Sequence, residues 1–322
     1  MIAGAATAES NRPGPLPRIS PALSASGSDA LGAELDSLLL QATFDVRPSN
    51  YAIKFHNAVG RLPLKLGTVL MVSTSLDGLK VVWQAGIRKR TDAALQILYT
   101  YRWRPWRLLW AVGDQFCASS FNVRSVRSRG RFVQTAVASL LGRLAAQRIS
   151  SGARKRVTAA SLGSGSACQF LAGAAANGFG EGKIALLLVD RDPRALCAAK
   201  QNANSVGLEG AVQTRESSIG HFLDTASELD LVEMVGLADY FRDDQLQRYL
   251  CMIASALTTE GFFLGANISS REEMYYAHGA ACWPAMHYRT TQELISRLKD
   301  AGFSRIWTGG CGLYTVWVAQ KS

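Results

Sequence analysis

The sequence lacks several features that would assign it directly to a class of protein. Its longest apolar runs fall short of the ~20 residues that a membrane-spanning helix needs. None of its six cysteines forms a CxxC pair or another spacing typical of a metal site. Only 19% of the residues are charged and 48% are hydrophobic, which excludes global disorder. We therefore expect a folded chain with reduced thiols, no transmembrane segment and a cytoplasmic location.

The first residues also lack the arrangement of charged and apolar segments that is typical of a secretion signal. Residues 1–30 are rich in Ala, Ser, Pro and Gly, without a charged segment followed by a compact apolar one. This composition predicts a flexible tail. A chain of 322 residues then fits one large domain or two modest ones, and we see no internal repeat.

Charge of one sign is concentrated in the first half of the chain. Residues 1–156 contain 22 Lys and Arg against eight Asp and Glu, whereas residues 157–322 contain 13 against 17. This asymmetry indicates two regions with different roles, which we place at 31–150 and 151–322. The basic region could face an acidic partner, a phosphate-bearing substrate or a membrane surface, or it could simply carry solvated arginines.

The first region has the apolar spacing of helices. Leu31–Leu40 and Asn50–Met71 show it, and Val123–Leu144 forms a basic helix that leads into the second region. Between them, Ile97–Trp110 alternates aromatic residues with arginines. Such a segment can lie at a membrane interface or stack on bases, but inward-packed aromatics with outward arginines are the favoured interpretation. We predict a helical cap that contributes to substrate binding.

The second region alternates strands with helices. The predicted strands are Val157–Leu162, Ile184–Val189, Val212–Arg215, Leu229–Val235, Gly261–Ala266, Ser304–Trp307 and Tyr314–Ala319. The last two form a pair joined by a glycine turn. The pattern predicts an α/β, Rossmann-like, doubly wound fold with a mostly parallel seven-stranded sheet and an antiparallel last strand.

A glycine pair and an acid occupy the positions at which such a sheet binds nucleotides. Gly163 and Gly165 follow the first strand, and Asp190 ends the second, where a carboxylate can hold ribose hydroxyls. Asp192 suits the cap of the following helix better. A dinucleotide fingerprint would have glycine in place of Cys168, and the Gly-Lys-Ser/Thr of a P-loop is missing.

Over about residues 120–322 the sequence resembles the class I S-adenosylmethionine-dependent methyltransferases. The resemblance is carried by Ser161-Leu-Gly-Ser-Gly-Ser, by Leu187–Pro193 and by Leu229–Tyr240. A bacterial subgroup is also similar in the basic helix Val123–Phe132 and in Trp283–Arg289. That subgroup resembles azetidine-2-carboxylate synthases as well, which cyclise S-adenosylmethionine itself.

The resemblance implies that S-adenosylmethionine binds along the carboxyl ends of the strands, without a metal. Its methionine moiety would lie at the glycine loop, its ribose at the acid ending the second strand, its adenine after the third strand, and its sulfonium over the segment after the fourth. The residues assigned to this ligand are Ser161, Gly163, Gly165, Asp190, Ser217, Ser218, Glu233 and Val235. Family members usually carry an acid where this chain has Ser161, so the group that holds the ligand's amino group is open.

Aromatic and polar residues of the second region are candidates for the chemistry. A sulfonium is a cation, and aromatic faces hold cations. A histidine beside an acceptor can act as a base. We predict catalytic roles for Tyr240, His287 and Tyr288, and substrate contacts for Asn267, Trp283 and Arg289.

The predicted function is methyl transfer to a small molecule, and two alternatives stay open. The first is cyclisation of S-adenosylmethionine to azetidine-2-carboxylate and methylthioadenosine. The second is nucleic-acid binding or modification by the basic half. The segment Val235–Asp239 argues against the second, because enzymes that methylate base amines often carry Asn/Asp-Pro-Pro-Tyr/Phe there. We expect a small-molecule substrate, and a homodimer is one option for the assembly.

Overall fold

The computed structural model describes residues 32–39, 49–88, 90–99, 109–150, 156–179 and 182–321. The predicted tail, residues 1–30, lies outside these ranges, and so does the aromatic and arginine-rich stretch 101–107.

The first half of the chain is helical, as predicted. The helices are α1 (32–39), α2 (Asn50–Gly60), α3 (Leu66–Thr74), α4 (Leu76–Val81), α5 (Thr91–Tyr99), α6 (Leu109–Ser119) and α7 (Phe121–Ser150). The single helix predicted for Asn50–Met71 is interrupted by a 3₁₀ turn, Pro63–Lys65. Proline is tolerated in a first turn but not in a helix interior, because it lacks an N–H and clashes with the preceding turn. Lys65 then adopts a left-handed φ of 61°, which ends the turn and redirects the chain into α3.

The second half alternates strands and helices. Its strands are β1 (Val157–Leu162), β2 (Ile184–Asp190), β3 (Val212–Glu216), β4 (Leu229–Val235), β5 (Leu257–Ile268), β6 (Phe303–Cys311) and β7 (Tyr314–Lys321). The helices between them are α8 (Cys168–Ala175), α9 (Pro193–Ser205), α10 (Ile219–Leu223), α11 (Asp243–Ala256) and α12 (Thr291–Asp300). Each predicted strand is present, within a few residues of its predicted ends.

All seven strands form one sheet in the order β3-β2-β1-β4-β5-β7-β6. The pairs from β3 to β5 are parallel, and β7 is antiparallel to both β5 and β6. This confirms the predicted sheet, including its antiparallel last strand. The direction of winding reverses between β1 and β4, and ligands bind at such a switch point, beyond the carboxyl ends of the strands.

Helix α7 packs against the sheet and also against the N-terminal helices. Val133, Val137 and Leu141 lie on one face of α7 and share a core with residues of β1, β2, β5 and β7. Gly130 allows α5 to approach, because a Cβ there would lie 2.7 Å from the ring of Tyr99. The basic helix predicted as a lead-in is therefore a structural layer of the sheet domain as well.

The cysteines are free, as expected, but they are not uniformly buried. Cys117 and Cys311 are buried, whereas Cys197 and Cys251 are exposed. Among the described helices, none combines the length and apolarity needed to span a membrane.

Candidate functional site

A cleft of about 1060 Å³ opens at the carboxyl ends of the first four strands. The eight residues that the resemblance assigned to S-adenosylmethionine, together with Tyr240, all contribute to its walls. They are Ser161, Gly163, Gly165, Asp190, Ser217, Ser218, Glu233, Val235 and Tyr240. The parallel strands thus bring these nine residues, which are spread over positions 161 to 240 of the sequence, into one cavity.

The glycine loop allows the backbone to approach the opposite wall of the cleft closely. Gly163 has a φ of 63° and Gly165 a φ of 53°, both in the left-handed region that glycine adopts without strain. A Cβ on Gly163 would lie 2.6 Å from Cδ2 of Leu237. A Cβ on Gly165 would lie 3.0 Å from Cβ of Asp92, in α5. The loop is therefore enclosed by the segment after β4 and by an N-terminal helix.

Asp190 ends β2 with its carboxylate held in a fixed orientation. Oδ2 accepts a hydrogen bond from the backbone N–H of Gly165, and Oδ1 accepts one from that of Asp192, each at 2.9 Å. A carboxylate has about four acceptor positions, so two are left for a ligand. Asp192 caps α9 as predicted, because its side chain accepts from the backbone N–H of Arg194.

Glu233 supplies a buried acid next to Ser161. The two residues are paired in register on β4 and β1. The Ser161 hydroxyl donates to Glu233 Oε2 at 2.5 Å, and the backbone N–H of Val235 also donates to this carboxylate. Burial raises the pKa of Glu233 to about 7, although Ser161, Val235 and the charge of Arg129 oppose the rise. The carboxylate next to Ser161 is thus supplied by the neighbouring strand β4.

Tyr240 reaches the cleft and is held by Trp283. The indole Nε1 of Trp283 donates to the Tyr240 hydroxyl at 2.9 Å. Burial raises the pKa of Tyr240 well above its usual range, so its phenol is neutral at physiological pH. Trp283 also lines a second, largely apolar cavity, formed with Met71, Val81 and Met286 among others. Tyr240 and Trp283 therefore connect the two cavities.

Asn267 and Arg289 are buried, and their polar atoms bind other parts of the protein. Arg289 donates to the carbonyl oxygens of Ala238 and Phe241, at 3.1 and 2.5 Å, and to Oδ1 of Asn267 at 2.8 Å. The Asn267 amide donates to the carbonyl oxygens of Ile268, at 2.6 Å, and His287, at 3.0 Å. Neither is among the described residues that line the cleft. These hydrogen bonds give both side chains a role in fixing the loop that carries Tyr240.

His287 and Tyr288 lie away from the cleft walls. The side chain of His287 is exposed, while its backbone N–H donates to the carbonyl of Asp239 at 2.7 Å. The Tyr288 ring packs on the core, and its hydroxyl lies 3.3 Å from Nε2 of His278. Of the three predicted catalytic residues, Tyr240 alone lines the cleft within the described part of the chain.

Residues of the N-terminal helices complete the cleft, and none of them is among the site residues predicted from the sequence. They are Arg88, Thr91, Asp92, Leu95 and Tyr99 near and in α5, and Val133 in α7. A buried arginine of α7, Arg129, lies behind Gly236. These residues reach the cleft only because the two halves of the chain pack together, so no local sequence pattern predicts them. The one partial signal is the basic helix that includes Arg129.

The comparisons with known proteins agree with this fold. No protein-family profile and no curated protein matches the sequence. A solved structure described as a possible exported protein from Bordetella parapertussis is similar over 93% of this chain and 99% of its own, with 17% identity and a TM-score of 0.65. The resemblance to that protein, which includes the helical N-terminal region, is one of fold.

Methyltransferases are also similar at lower scores. The S-adenosylmethionine-dependent methyltransferase SibL covers 76% of this chain and 74% of its own, with 18% identity and a TM-score of 0.47. The magnesium protoporphyrin IX methyltransferase from Synechocystis PCC 6803 covers 76% of this chain and 100% of its own, with 13% identity and a TM-score of 0.49. At these identities the similarity is one of fold, and the strand order with its antiparallel β7 agrees with the Rossmann-like fold that the sequence predicts.

Proposed function

We propose that the chain binds S-adenosylmethionine in the cleft and transfers its methyl group to a small molecule. The observation that carries this proposal is the convergence in one cleft of the eight residues that the resemblance assigned to that ligand. Their order along the cleft, from Ser161 and Glu233 past the glycine loop to Asp190 and Ser217, suits an elongated ligand with an amino-acid end and a nucleoside end.

The donors and acceptors present fit this ligand. The acceptor positions of Asp190 that the backbone leaves open suit ribose hydroxyls, which are donors. Glu233 suits an ammonium group, which requires acceptors and a negative charge. The ribose hydroxyls and the ammonium group of the ligand are donors, and each thus has an acceptor in the cleft.

The sulfonium of S-adenosylmethionine supplies an electrophilic methyl group and a good leaving group. An electron pair of the acceptor forms the new bond to the methyl carbon, and the electrons of the broken carbon–sulfur bond stay on sulfur. The protein then has to align the acceptor and exclude water. Tyr240 is neutral, lines the cleft and is hydrogen-bonded to Trp283, and we assign its aromatic ring to the stabilisation of the cation.

The acceptor we propose is small and largely apolar. The cavity on the other side of Trp283 has a volume of about 60 Å³ and is lined mainly by apolar side chains, among them Met71, Val81, Ile97 and Leu98, together with Asp77 and Asp114. Such a surface favours apolar molecules by the hydrophobic effect. The N-terminal helices would therefore provide the acceptor's binding surface as well as one wall of the cleft.

Binding and turnover test the proposal separately. We expect S-adenosylhomocysteine to bind the pure protein in a calorimetric titration and Asp190→Ala to weaken this binding at least tenfold, while the exposed control Asp224→Ala leaves it unchanged. Methyl transfer is then followed with labelled S-adenosylmethionine and a panel of small apolar acceptors. A wild-type protein that binds neither S-adenosylmethionine nor S-adenosylhomocysteine would refute the proposal.

A second candidate function is the cyclisation of S-adenosylmethionine, and Glu233 favours it. A buried carboxylate whose pKa is about 7 can accept a proton from the ammonium group that we place beside it. The freed amine would then form a bond to the γ-carbon. The carbon–sulfur bond would break with its electrons going to sulfur, giving azetidine-2-carboxylate and methylthioadenosine.

Incubation with S-adenosylmethionine alone separates the two candidates. Mass spectrometry that detects methylthioadenosine and azetidine-2-carboxylate, both lost on Glu233→Gln, would establish cyclisation. S-adenosylmethionine that binds but stays intact would exclude cyclisation and favour methyl transfer, which the acceptor panel then tests.

A further inference from the structure

Large apolar side chains that are exposed to solvent are concentrated on the N-terminal helices. Most of those in the described part of the chain lie between residues 51 and 112, and the others are Ile149, Val206 and Tyr275. Tyr51 is 85% exposed and Ile87 is 62% exposed. Single exposed apolar side chains are normal on a protein surface, whereas a group of them marks a site of interaction.

These side chains form a stripe on each of three consecutive helices. Tyr51 and Phe55 lie one turn apart on α2, and Leu66 and Leu70 lie one turn apart on α3. Trp83 and Ile87 are spaced in the same way in the π-helical turns that continue α4. Residues four apart lie on the same side of a helix. We call these six residues the apolar face.

The apolar face lies on the outer side of the N-terminal helices. Their inner sides meet in one core, to which α2 contributes Val59, α3 contributes Met71 and α4 contributes Val81. Tyr276, from the segment after β5, belongs to the same core. Since the buried residues of each helix point toward this core, the exposed stripes point away from it.

The charged side chains that are exposed on these helices are all cationic. Residues 49–88 contain one acid, Asp77, and it is buried. The exposed charged residues of this stretch are Lys54, Arg61, Lys65, Lys80 and Arg88. The helices that carry the apolar face therefore also carry positive charge, with no exposed carboxylate between residues 49 and 88.

We propose that the apolar face binds the surface of a membrane that contains anionic lipids. Its aromatic and aliphatic side chains enter the boundary between headgroups and acyl chains, and the cations lie at the level of the lipid phosphates. This inference does not depend on the proposed function, because the apolar face contributes no residue to the cleft among those that the structure describes.

The chemistry of the apolar face favours a membrane over the two other possible partners. Aliphatic side chains such as those of Leu66, Leu70 and Ile87 gain free energy when they leave water for acyl chains, but they do not stack on nucleic-acid bases. A second copy of the chain would bring two sets of like charges together, which repel each other. Anionic lipids offer both an apolar phase and negative charge.

Co-sedimentation of the full-length chain with vesicles tests the proposal. One set of vesicles is phosphatidylcholine with about one third phosphatidylglycerol, and the other is phosphatidylcholine alone. We expect partitioning onto the anionic vesicles to be at least about tenfold stronger, because each cation near an anionic surface contributes to binding. Equal partitioning onto both vesicles, or onto neither, would show that the inference is wrong.

Variants separate the apolar and the electrostatic contribution. Phe55→Gln/Leu70→Gln and Lys54→Gln/Lys80→Gln should each weaken partitioning by about tenfold or more. The matched controls are Val206→Gln and Lys200→Gln/Lys299→Gln, all exposed on the sheet half, and they should partition as the wild type does. Equal weakening in the controls would contradict the assignment of the apolar face.

Fluorescence tests whether the apolar face enters the bilayer. Trp83 is 48% exposed, so phenylalanine can replace it without disturbing a packed core. We expect anionic vesicles with brominated acyl chains to quench the tryptophan fluorescence of the wild type, and Trp83→Phe to reduce this quenching. Quenching that is the same in Trp83→Phe and in the wild type would assign the contact to another surface.

The remaining outcomes identify a different partner or leave the proposed function untouched. A wild type that dimerises in sedimentation velocity, with the dimer lost in Phe55→Gln/Leu70→Gln and without vesicle binding, would assign the apolar face to a second copy. Binding to RNA but not to vesicles would assign it to a nucleic acid. S-adenosylhomocysteine binding, unchanged in the variants, shows that they are folded, and failure of the vesicle experiment leaves the proposed function standing.

Discussion

At the scale of single residues, Ser161 and Glu233 show how a side chain on one strand can place its charge beside a residue of the next strand. Neighbouring strands lie ~4.8 Å apart, so residues in register can place their side-chain tips at the same point. In this chain the hydroxyl of β1 donates to the carboxylate of β4. Burial then gives that carboxylate a pKa of about 7, which makes both stability and binding depend on pH near neutrality.

The stability of the ligand-free protein should decrease as pH rises from 4.5 to about 7, because of Glu233. In this window the folded state keeps a proton on Glu233, whereas an unfolded chain with the ordinary pKa of 4.5 releases it. Glu233→Gln removes this contribution and should flatten the decrease. Urea denaturation at about pH 5 and about pH 8 measures the decrease in the free energy of unfolding, with the exposed Glu209→Gln as control. Equal pH dependence in Glu233→Gln and wild type would contradict the assignment.

Binding of S-adenosylhomocysteine should show the opposite dependence on pH. A ligand ammonium favours the charged carboxylate, so affinity should rise between about pH 5.5 and pH 8, by up to about tenfold for each unit below the pKa of Glu233. Methylthioadenosine, which lacks the amino group, should bind with the same affinity throughout. Calorimetric titrations of the two ligands at several pH values test this. A rise of the same size in Glu233→Gln would assign it to another group.

At the scale of elements, the loop after β4 is fixed by Arg289. This one side chain binds two carbonyls of the loop and the amide of Asn267, and it forms an ion pair with Asp243 at the start of α11. The sequence predicted a substrate contact for Arg289, as one member of a cluster with His287 and Tyr288. The structure instead shows it as the support of Tyr240.

Arg289→Met should lower the free energy of unfolding by about 2–4 kcal/mol, because it leaves buried carbonyls without donors. It should also weaken ligand binding, since the loop that carries Tyr240 loses its anchor. Urea denaturation and calorimetry measure the two effects. The matched control is Arg248→Met on the exposed face of α11, which should change stability by less than about 0.5 kcal/mol. An Arg289→Met protein as stable as the control would show that the loop is held by other contacts.

The glycine loop and α5 form the second element-scale contact. Gly165→Ala should lower the free energy of unfolding by about 1 kcal/mol, because alanine is strained in the left-handed region. Its Cβ would also crowd Asp92. Gly178 has a similar φ of 57°, but a Cβ there would meet no atom within 4 Å. We therefore expect Gly178→Ala to lose stability alone, and Gly165→Ala to lose stability and at least tenfold in affinity for S-adenosylhomocysteine. Equal affinities in the two variants would mean that α5 is not part of the binding wall.

At the scale of the whole molecule, the cleft lies between two halves that one helix connects. Helix α7 has 30 residues and is therefore about 45 Å long, at 1.5 Å per residue. Its apolar face packs on the sheet, while α5 crosses it at Gly130. A ligand in the cleft would contact both halves at once.

Binding should therefore protect the N-terminal wall from hydrogen exchange. Saturation with S-adenosylhomocysteine should slow exchange in the peptides that cover α5, whose residues Thr91, Asp92, Leu95 and Tyr99 line the cleft. Exchange in α12, which contributes no described residue to the cleft, should stay as it was. Asp190→Ala with the same ligand concentration serves as the control. Protection confined to the sheet half would show that the N-terminal helices do not close on the ligand.

The fold could be predicted from the sequence because its signals are local. Strands such as Ile184–Asp190 are short apolar runs, and Asp192-Pro193 marks a helix start. The positions that line the cleft followed, because they lie at strand ends. Arg129 and Asn267 could not be assigned in this way. Whether a buried polar residue faces the cleft or the interior depends on contacts between segments that are distant in the sequence. Asn267, for example, binds the carbonyl of His287 and the guanidinium of Arg289, 20 and 22 residues further along the chain.

The carboxylate beside the glycine loop belongs to Glu233 on β4, whereas β1 has Ser161 at the paired position. This has a consequence for how related chains are recognised. A search that requires an acid before the glycine loop would pass over this chain, although the carboxylate is present in space. In an alignment of homologues, the two positions should co-vary, with an acid at one or the other but rarely at both, since two buried carboxylates at this distance repel each other. The double variant Ser161→Glu/Glu233→Ser should accordingly retain more of the binding than Glu233→Ser does alone, because the pocket specifies a place for the charge and either strand can supply it.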